Sequence, residues 1–397
     1  MSAKAILLTS GSGIELVSIY DELGIRRVIN GSATLTAWGG SLMPPEVVRA
    51  MADAAESFVD IHELQRCVGT QIAQLTRNEA AYITSGCAAA LALATAGCMT
   101  GQDPEKRGRL PRTEGMKNEV IVHSHTRIPY DFCIRQVGVQ LVEIGSGEGT
   151  SPQELERAIT PRTAAMFYFP NANRDGGSLP IRHAVDICHR RDVPVIVDGA
   201  AQIPPKENLW RWTTDDGADL ALFSGGKGLR GPQPAGLALG RRELVEAMRF
   251  SGPPNQFIGR PMKVGKEELC GMLAAVRWYM AQDEEAMLAR YEQQVQYILD
   301  AFAETTGVTA RRSFPSEAGQ PTPRAELLFD DSALDTTPDE LLARLLEGEP
   351  PILLAESGQH GLLINPQTLY ADEERIIVRR LKEILAEKGV ADSSPSR

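Results

Sequence analysis

Short, almost wholly apolar runs alternate with stretches of helical period between about residues 44 and 250. Each run is bounded by Gly, Pro, Asp or Ser, and the pattern predicts strands at 80–84, 120–123, 164–169, 193–197, 220–223 and 236–239. Continuous rather than alternating hydrophobicity is typical of strands that are covered on both faces. Helical patterns lie between most of these strands, which predicts an α/β domain with a mostly parallel sheet.

Helices in this region are predicted from the spacing of apolar positions. Pro44 and Pro45 suit the first turn of a helix, because proline has no N–H to leave unpaired there. The apolar stripes are formed by Val47, Met51, Ala54 and Phe58, by Leu64, Val68, Ile72 and Leu75, and by residues within 181–190.

The last third of the chain changes character. A helical pattern runs from Lys266 to about Glu304, and residues 305–324 are polar and rich in Pro and Gly, which predicts a loop. Strand-like segments at 325–329, 352–355 and 362–364, a helix beginning near Thr337 and a final helix over about 372–388 predict a smaller domain. We therefore expect an N-terminal segment (1–43), a large domain (44–265), a linking helix (266–304), a small C-terminal domain (305–390) and a disordered tail (391–397).

Composition excludes several classes of function. The 397 residues carry 41 basic and 52 acidic side chains, a net charge of −11, and no basic run, so no nucleic-acid partner is expected. No stretch approaches the ~20 apolar residues of a membrane span, and the N-terminus does not resemble a signal peptide. Six scattered cysteines show no metal-ligand spacing and favour free thiols in a reducing compartment. We expect a cytoplasmic protein without a metal site.

Unusual residues follow four of the predicted strands, where ligands of parallel α/β sheets bind. Ser85, Gly86 and Cys87 open an alanine-rich helix, whose N-terminal N–H groups and dipole suit a phosphate. His125 follows the strand at 120–123, and its imidazole could stack on a planar ring. Each feature alone also fits an ordinary role, as a strand-to-helix turn or as a loop histidine.

Two charged residues follow the next strand ends. Asp198 ends the strand at 193–197, where a carboxylate is costly unless it is paired, and a pyridinium N–H is a suitable partner. Lys227 stands between glycines in SGGKGLRGPQ, where an amine with a depressed pKa would form a Schiff base with an aldehyde. The alternatives are a capping aspartate and a solvated lysine in a turn.

The four features together suit pyridoxal 5′-phosphate (PLP), which needs a phosphate cradle, a stacking group, a pyridine-nitrogen partner and an amine for its aldehyde. A nucleotide phosphate loop is disfavoured, because Gly228 follows Lys227 where that loop requires Ser or Thr.

Four segments resemble a known family: SGGKGLRGPQPAGLALG (224–240), YDELGIRRVINGSATLTAWGGSLMPPEVVRAM (20–51), IGRPMKVGKEELCGML (258–273) and LLINPQTL (362–369). They are similar to fold-type-I PLP enzymes of the L-seryl-tRNA(Sec) selenium transferase-like group, and most to its D-glucosaminate-6-phosphate ammonia-lyase members. The resemblance implies a large domain with a mostly parallel seven-stranded sheet, a smaller α+β C-terminal domain, and at least a homodimer.

The resemblance also implies roles for single residues. Lys227 would be the Schiff-base lysine, Asp198 the pyridine-nitrogen partner and His125 the stacking residue. The phosphate would be held by Ser85, Gly86 and Cys87 with Ser224, and Gln202 would approach the ring 3′-oxygen. Thr34, Arg260 and Lys263 would contact the substrate, the last two facing the neighbouring subunit's site; the alternative for these two is surface charge near a helix start.

The implied activity is that of a PLP-dependent lyase. Such an enzyme eliminates a β-hydroxyl from an amino acid or amino-sugar acid and releases ammonia and a 2-keto acid, and D-glucosaminate 6-phosphate is the expected substrate. Other PLP reactions stay open, namely racemisation, aldol cleavage, β-substitution and transamination, as does a non-catalytic PLP-fold protein. Selenium transfer to tRNA is disfavoured by the acidic net charge and by a family pattern that begins near Tyr20.

Overall fold

The computed structural model describes residues 18–146, 149–170, 177–330 and 336–387. Its α-helices are α1 (Ile19–Glu22), α2 (Pro45–Ala55), α3 (Ile61–Leu75), α4 (Gly86–Thr100), α5 (Pro104–Arg109), α6 (Phe132–Arg135), α7 (Pro152–Ala158), α8 (Ile181–His189), α9 (Arg211–Thr214), α10 (Arg242–Ser251), α11 (Lys266–Ala281), α12 (Glu284–Phe302), α13 (Pro338–Glu347) and α14 (Glu373–Glu387). The strands are β1 (Ile29–Asn30), β2 (Ala80–Thr84), β3 (Glu119–His123), β4 (Gln140–Ile144), β5 (Thr163–Tyr168), β6 (Val195–Asp198), β7 (Leu220–Ser224), β8 (Gly236–Gly240), β9 (Val308–Ser313), β10 (Arg324–Phe329), β11 (Ile352–Leu353), β12 (Ala355–Ser357) and β13 (Gly361–Ile364).

Seven strands form one sheet in the order β2-β8-β7-β6-β5-β3-β4. All neighbours are parallel except β8, which runs antiparallel to both β2 and β7. The predicted α/β class and mostly parallel sheet are therefore confirmed. Strand β4 was missed by the sequence analysis, because it lies at the sheet edge and its first four residues are exposed or half-buried, which interrupts the apolar run.

Apolar side chains fill both faces of this sheet. One face packs on α3, α8 and α11, and the other on α4 and α10. Helix α4 is buried along nearly its whole length, and its small residues allow close approach to its neighbours. A Cβ added at Gly97, for example, would lie 3.3 Å from the Cβ of Ala247 on α10.

The C-terminal part carries a four-stranded antiparallel sheet in the order β12-β13-β10-β9, covered by α12, α13 and α14. Strand β9 corrects the loop predicted at 305–324. Its six residues, VTARRS, are half-buried or exposed, so no apolar run marks them, and the strand exists through its six-residue pairing with β10. Strand β1 of the N-terminal segment pairs in parallel with β11.

Two predicted helices are shorter than expected. The pattern at 266–304 is divided into α11 and α12, because Gln282 is extended and Asp283 caps α12 by accepting the N–H of Ala286 at 3.0 Å. Helix α2 ends at Ala55, so Phe58 does not belong to its apolar stripe and its side chain is fully exposed. The domain limits stay predictions, and the predicted tail lies outside the described residues. None of the described helices is long and apolar enough to cross a membrane.

Candidate active site

The parallel topology brings four predicted site positions to one edge of the sheet. Strands β2, β3, β6 and β7 all end there, followed by Ser85, His125, Asp198 and the Lys227 turn. Strand β8 begins at the same edge, where a Cβ on Gly236 would lie 2.3 Å from the carbonyl carbon of Gly86. A glycine is therefore required at position 236 for the start of α4 to pack against the sheet.

The proposed phosphate cradle lies at the start of α4. Gly86 has a positive φ of 82°, which glycine adopts without strain. Ser85 is the N-cap residue, but its side chain makes no capping hydrogen bond. The first N–H groups of a helix have no partner within the helix, so this end keeps donors and a positive dipole end for an anion.

Asp198 is the last residue of β6 and is buried. Its Oδ1 accepts the N–H of Ala200 at 3.0 Å and the thiol of Cys87 at 3.6 Å. Burial raises the pKa of Asp198, while the Ala200 N–H, the Lys227 ammonium and the Cys87 thiol oppose that rise. A further N–H from a ligand would stabilise the ionised form of this buried carboxylate, as the nearby Lys227 amine does.

His125 lies in the short helical turn after β3. Its Nε2 is 3.1 Å from the hydroxyl of Ser178, and its buried Nδ1 has no hydrogen-bond partner among the residues that the structure describes. Gly177 packs against the imidazole, since a Cβ there would lie 3.3 Å from Cε1 and Nε2. Neighbouring His123 is fully buried, and burial with the proximity of His125 lowers its pKa to about 4. His123 is therefore neutral at pH 7.

Lys227 is held in a turn with almost no spare room. A Cβ on Gly226 would lie 2.5 Å from Cα of Gln233, and a Cβ on Gly228 would lie 2.1 Å from the carbonyl oxygen of Ile203. The carbonyl of Gly226 also accepts the N–H of Ser41 at 2.9 Å. The glycines around the lysine are thus steric requirements of a packed turn.

A cavity of about 300 Å³ opens beside Lys227. Thr34, predicted as a substrate contact, lines it, and Arg230, Arg290 and Gln367 lie on its walls. Neither arginine has an ion pair with a carboxylate among the described residues. The remaining lining residues are Ser41, Pro204, Gly228, Trp278, Tyr279, Gln282, Asp283, Ala286, Met287 and Tyr291.

Three predicted site residues do not line the Lys227 cavity. Gln202 donates its amide to the carbonyls of Pro170, at 3.2 Å, and Ala318, which holds the side chain against the small domain. Arg260 and Lys263 line a separate cavity of about 380 Å³. Their roles, like those of the other site residues, stay predictions.

Sequence reasoning missed Ser178, Arg230 and Arg290 as candidate site residues. Arg230 stands inside the quoted lysine segment, and its charge three residues after Lys227 was the available signal. Arg290 lies 63 residues after Lys227, and Ser178 lies 53 residues after His125. No local sequence spacing connects the residues of either pair.

Comparison with known proteins identifies the fold and family. The family model for aminotransferase class V matches residues 42–322. The chain belongs to the class-V aminotransferase family. It is 34% identical over 385 residues to a 5′-C-glycyluridine monooxygenase-decarboxylase of Streptomyces sp, covering 94% of this chain and 93% of that protein.

A D-glucosaminate-6-phosphate ammonia lyase of Salmonella typhimurium is 32% identical over 374 residues, covering 92% of this chain and 98% of the relative. A solved structure of D-glucosaminate-6-phosphate ammonia-lyase aligns with a TM-score of 0.82 at 30% identity, covering 94% of this chain and all of that one. An L-seryl-tRNA(Sec) selenium transferase of Solidesulfovibrio magneticus is 27% identical over 90% of this chain and 82% of its own length. The predicted family resemblance and the fold-type-I architecture are confirmed.

The cofactor of this family member is pyridoxal 5′-phosphate, as predicted. The described residues fit it. The uncapped start of α4 offers donors to a phosphate, and Asp198 keeps an acceptor for a ring N–H. The buried Nδ1 of His125 has no hydrogen-bond partner within the described part of the chain. Lys227 lies within electrostatic range of Asp198, as an amine that bonds the aldehyde would require.

Proposed function

We propose that this PLP-dependent enzyme is an ammonia-lyase for an anionic amino-sugar acid, with D-glucosaminate 6-phosphate as the expected substrate. The observation that carries the substrate class is the Lys227 cavity, where two arginines have no carboxylate partner among the described residues. Arg230 is half-buried and Arg290 is exposed on the cavity wall. An arginine that faces a cavity favours an anion, because carboxylate and phosphate oxygens accept from those N–H donors that no protein acceptor uses. The name and fold of the 32% identical relative support the reaction class.

In this mechanism Arg230 and Arg290 hold the substrate anion, and Lys227 acts as the base that removes the proton from the carbon bearing the amine. The bound cofactor supplies an electron sink for that carbon. With the cofactor bound, Asp198 would accept the ring N–H and His125 would stack on the ring. The turn's packing against Ser41 and Ile203 holds the Lys227 amine in place. The β-hydroxyl leaves as water by taking up the proton that Lys227 removed, and a second water hydrolyses the product to ammonia and a 2-keto acid.

The direct test is an assay of the holoenzyme with D-glucosaminate 6-phosphate and with unphosphorylated D-glucosaminate. Release of ammonia and 2-keto acid in equal amounts, faster with the phosphorylated substrate, is expected. Lys227→Ala should release neither while still folding. Absence of ammonia with both substrates would overturn the proposal, and product analysis would then separate racemisation, aldol cleavage, β-substitution and transamination.

A second candidate reaction is an oxygen-dependent decarboxylation. The 34% identity to a 5′-C-glycyluridine monooxygenase-decarboxylase over nearly the whole chain favours it. An oxygen electrode and a carbon dioxide trap distinguish the two reactions, because the lyase reaction proceeds under nitrogen without loss of carbon dioxide.

We also propose that the active unit is at least a homodimer. Apolar side chains that would cost free energy in water are exposed close to the segment that lines the Lys227 cavity. These are Leu35, Trp38, Leu42, Val48, Phe58 and Val59. Sedimentation should give a dimer that Phe58→Asp weakens and Tyr130→Asp, an exposed aromatic elsewhere in the chain, does not. A fully active monomer would contradict this.

A further inference from the structure

Cys87 is the second residue of α4, where the sequence analysis assigned it to the phosphate. Its side chain points elsewhere. The thiol is buried and lies 3.6 Å from Oδ1 of Asp198, 111 residues later in the chain. Any contact of Cys87 with a phosphate would therefore come from its backbone N–H, which leaves the thiol free for a separate role.

The carboxylate of Asp198 is bonded on one side only. Oδ1 accepts both the Cys87 thiol and the Ala200 N–H, whereas Oδ2 accepts no hydrogen bond from a described residue. Two donors on one oxygen fix the rotation of the carboxylate about its Cβ–Cγ bond. The second oxygen is thereby presented to whatever lies beyond the end of β6.

We propose that Cys87 is a positioning residue that orients Asp198 and limits its basicity, so that a proton shared with the cofactor's ring nitrogen stays on the nitrogen. This inference rests on the proposed pairing of Asp198 with that nitrogen, and not on the reaction that follows. The thiol donates to Oδ1 and stabilises the ionised carboxylate. Without it, the carboxylate would compete more strongly for the ring proton.

The thiol is suited to this task because it does not ionise in the working range of pH. Burial and the nearby Asp198 carboxylate raise the pKa of Cys87 well above its ordinary value. The charged or titratable groups facing the pair are the Lys227 ammonium and the thiol of Cys133 on α6, whose own pKa burial also raises. Cys87 therefore remains a donor whenever Asp198 is ionised.

The experiment uses the holoenzyme and follows the visible absorption of the bound cofactor against pH, without substrate. A positive charge on the ring nitrogen lowers the pH midpoint of that absorption change. Cys87→Ala removes the donor, and one hydrogen bond shifts an equilibrium by up to about tenfold, so the midpoint should rise by about 0.5–1 unit. Asp198→Asn should raise the midpoint further.

Two controls separate positioning from packing. Cys98→Ala removes a thiol from the same helix that has no hydrogen bond to Asp198, and its midpoint should equal the wild-type value. Cys87→Ser keeps a donor and should return the midpoint towards wild type. A wild-type midpoint in Cys87→Ala, or an equal shift in Cys98→Ala, would overturn the proposal. A wild-type midpoint in Asp198→Asn would instead remove the pairing on which it rests.

Discussion

Replacing Gly228 with alanine should move Lys227 away from its working position without unfolding the protein. The added Cβ would lie 2.1 Å from the carbonyl oxygen of Ile203 and 2.7 Å from its carbonyl carbon. Ordinary van der Waals contact requires a separation of about 3.4 Å, so the two backbone segments must part by about 1.3 Å. Both partners are backbone, and no flexible side chain can absorb the change.

We expect two consequences of different size. Overpacking of this kind costs about 1–3 kcal/mol, which lowers the Tm by a few degrees. A displacement of about 1 Å at a reacting group costs about 100-fold in rate, so loss of catalysis should exceed loss of stability.

Four measurements check this: the Tm of the apoprotein, the rate at which added PLP gives visible absorption, the borohydride-trapped cofactor on Lys227, and the turnover rate of the holoenzyme. Gly108→Ala is the matched control, because that residue lies inside α5 with nothing within 4 Å of an added Cβ, and it should bind cofactor normally. Cofactor uptake and turnover within twofold of wild type in Gly228→Ala would refute the steric argument.

Two further predictions concern charge. Arg290→Gln should raise KM for the anionic substrate about tenfold with little change in kcat, because it removes one charged contact. The control is Arg157→Gln on α7, where the arginine is exposed, and it should change neither constant. An unaltered KM in Arg290→Gln would show that this arginine does not bind the substrate. For His123 the folded pKa of about 4 lies below the ordinary 6.5, so the folded state binds its proton less readily than the unfolded state and stability falls as pH drops from about 6.5 to 4. The loss in free energy of unfolding is about 3 kcal/mol at most. In His123→Gln the amide oxygen can still accept the Leu179 N–H, and the stability of the apoprotein in urea should decline less steeply over that pH range. An identical decline in the variant and the wild type would contradict the lowered pKa of His123.

The large sheet was predictable because its central strands are buried on both faces. A strand such as β6 has all four residues buried, so hydrophobicity alone marks it. Two of the strands that were not predicted, β4 and β9, lie at sheet edges and consist mostly of exposed or half-buried residues, so that only pairing with a neighbour defines them. The break between α11 and α12 was missed because apolar residues continue on both sides of Asp283.

Some residues of the candidate site could likewise be predicted from the sequence, and others could not. Residues at strand ends were predictable, since topology places the ends of parallel strands at one edge whatever the details of packing. The direction of a side chain was not predictable, as Cys87 illustrates. Its thiol reaches Asp198 because of how α4 packs against the sheet. The two arginines of the cavity were not assigned either, since a surface charge and a cavity charge look alike in sequence.

Arg230 explains why the Lys227 segment could not be interpreted in isolation. Its φ of 53° lies in the left-handed region that side chains rarely adopt, and such strain persists only where surrounding contacts fix it. Its Nε donates to the carbonyl of Leu42 at 2.8 Å and its Nη2 to the hydroxyl of Tyr370 at 3.2 Å. One side chain thus joins the lysine turn, the N-terminal segment and the end of the small domain. These three regions line the cavity together with α11, α12 and the connection between the two helices. The substrate specificity that we propose therefore depends on their assembly, which a motif of seventeen residues does not contain.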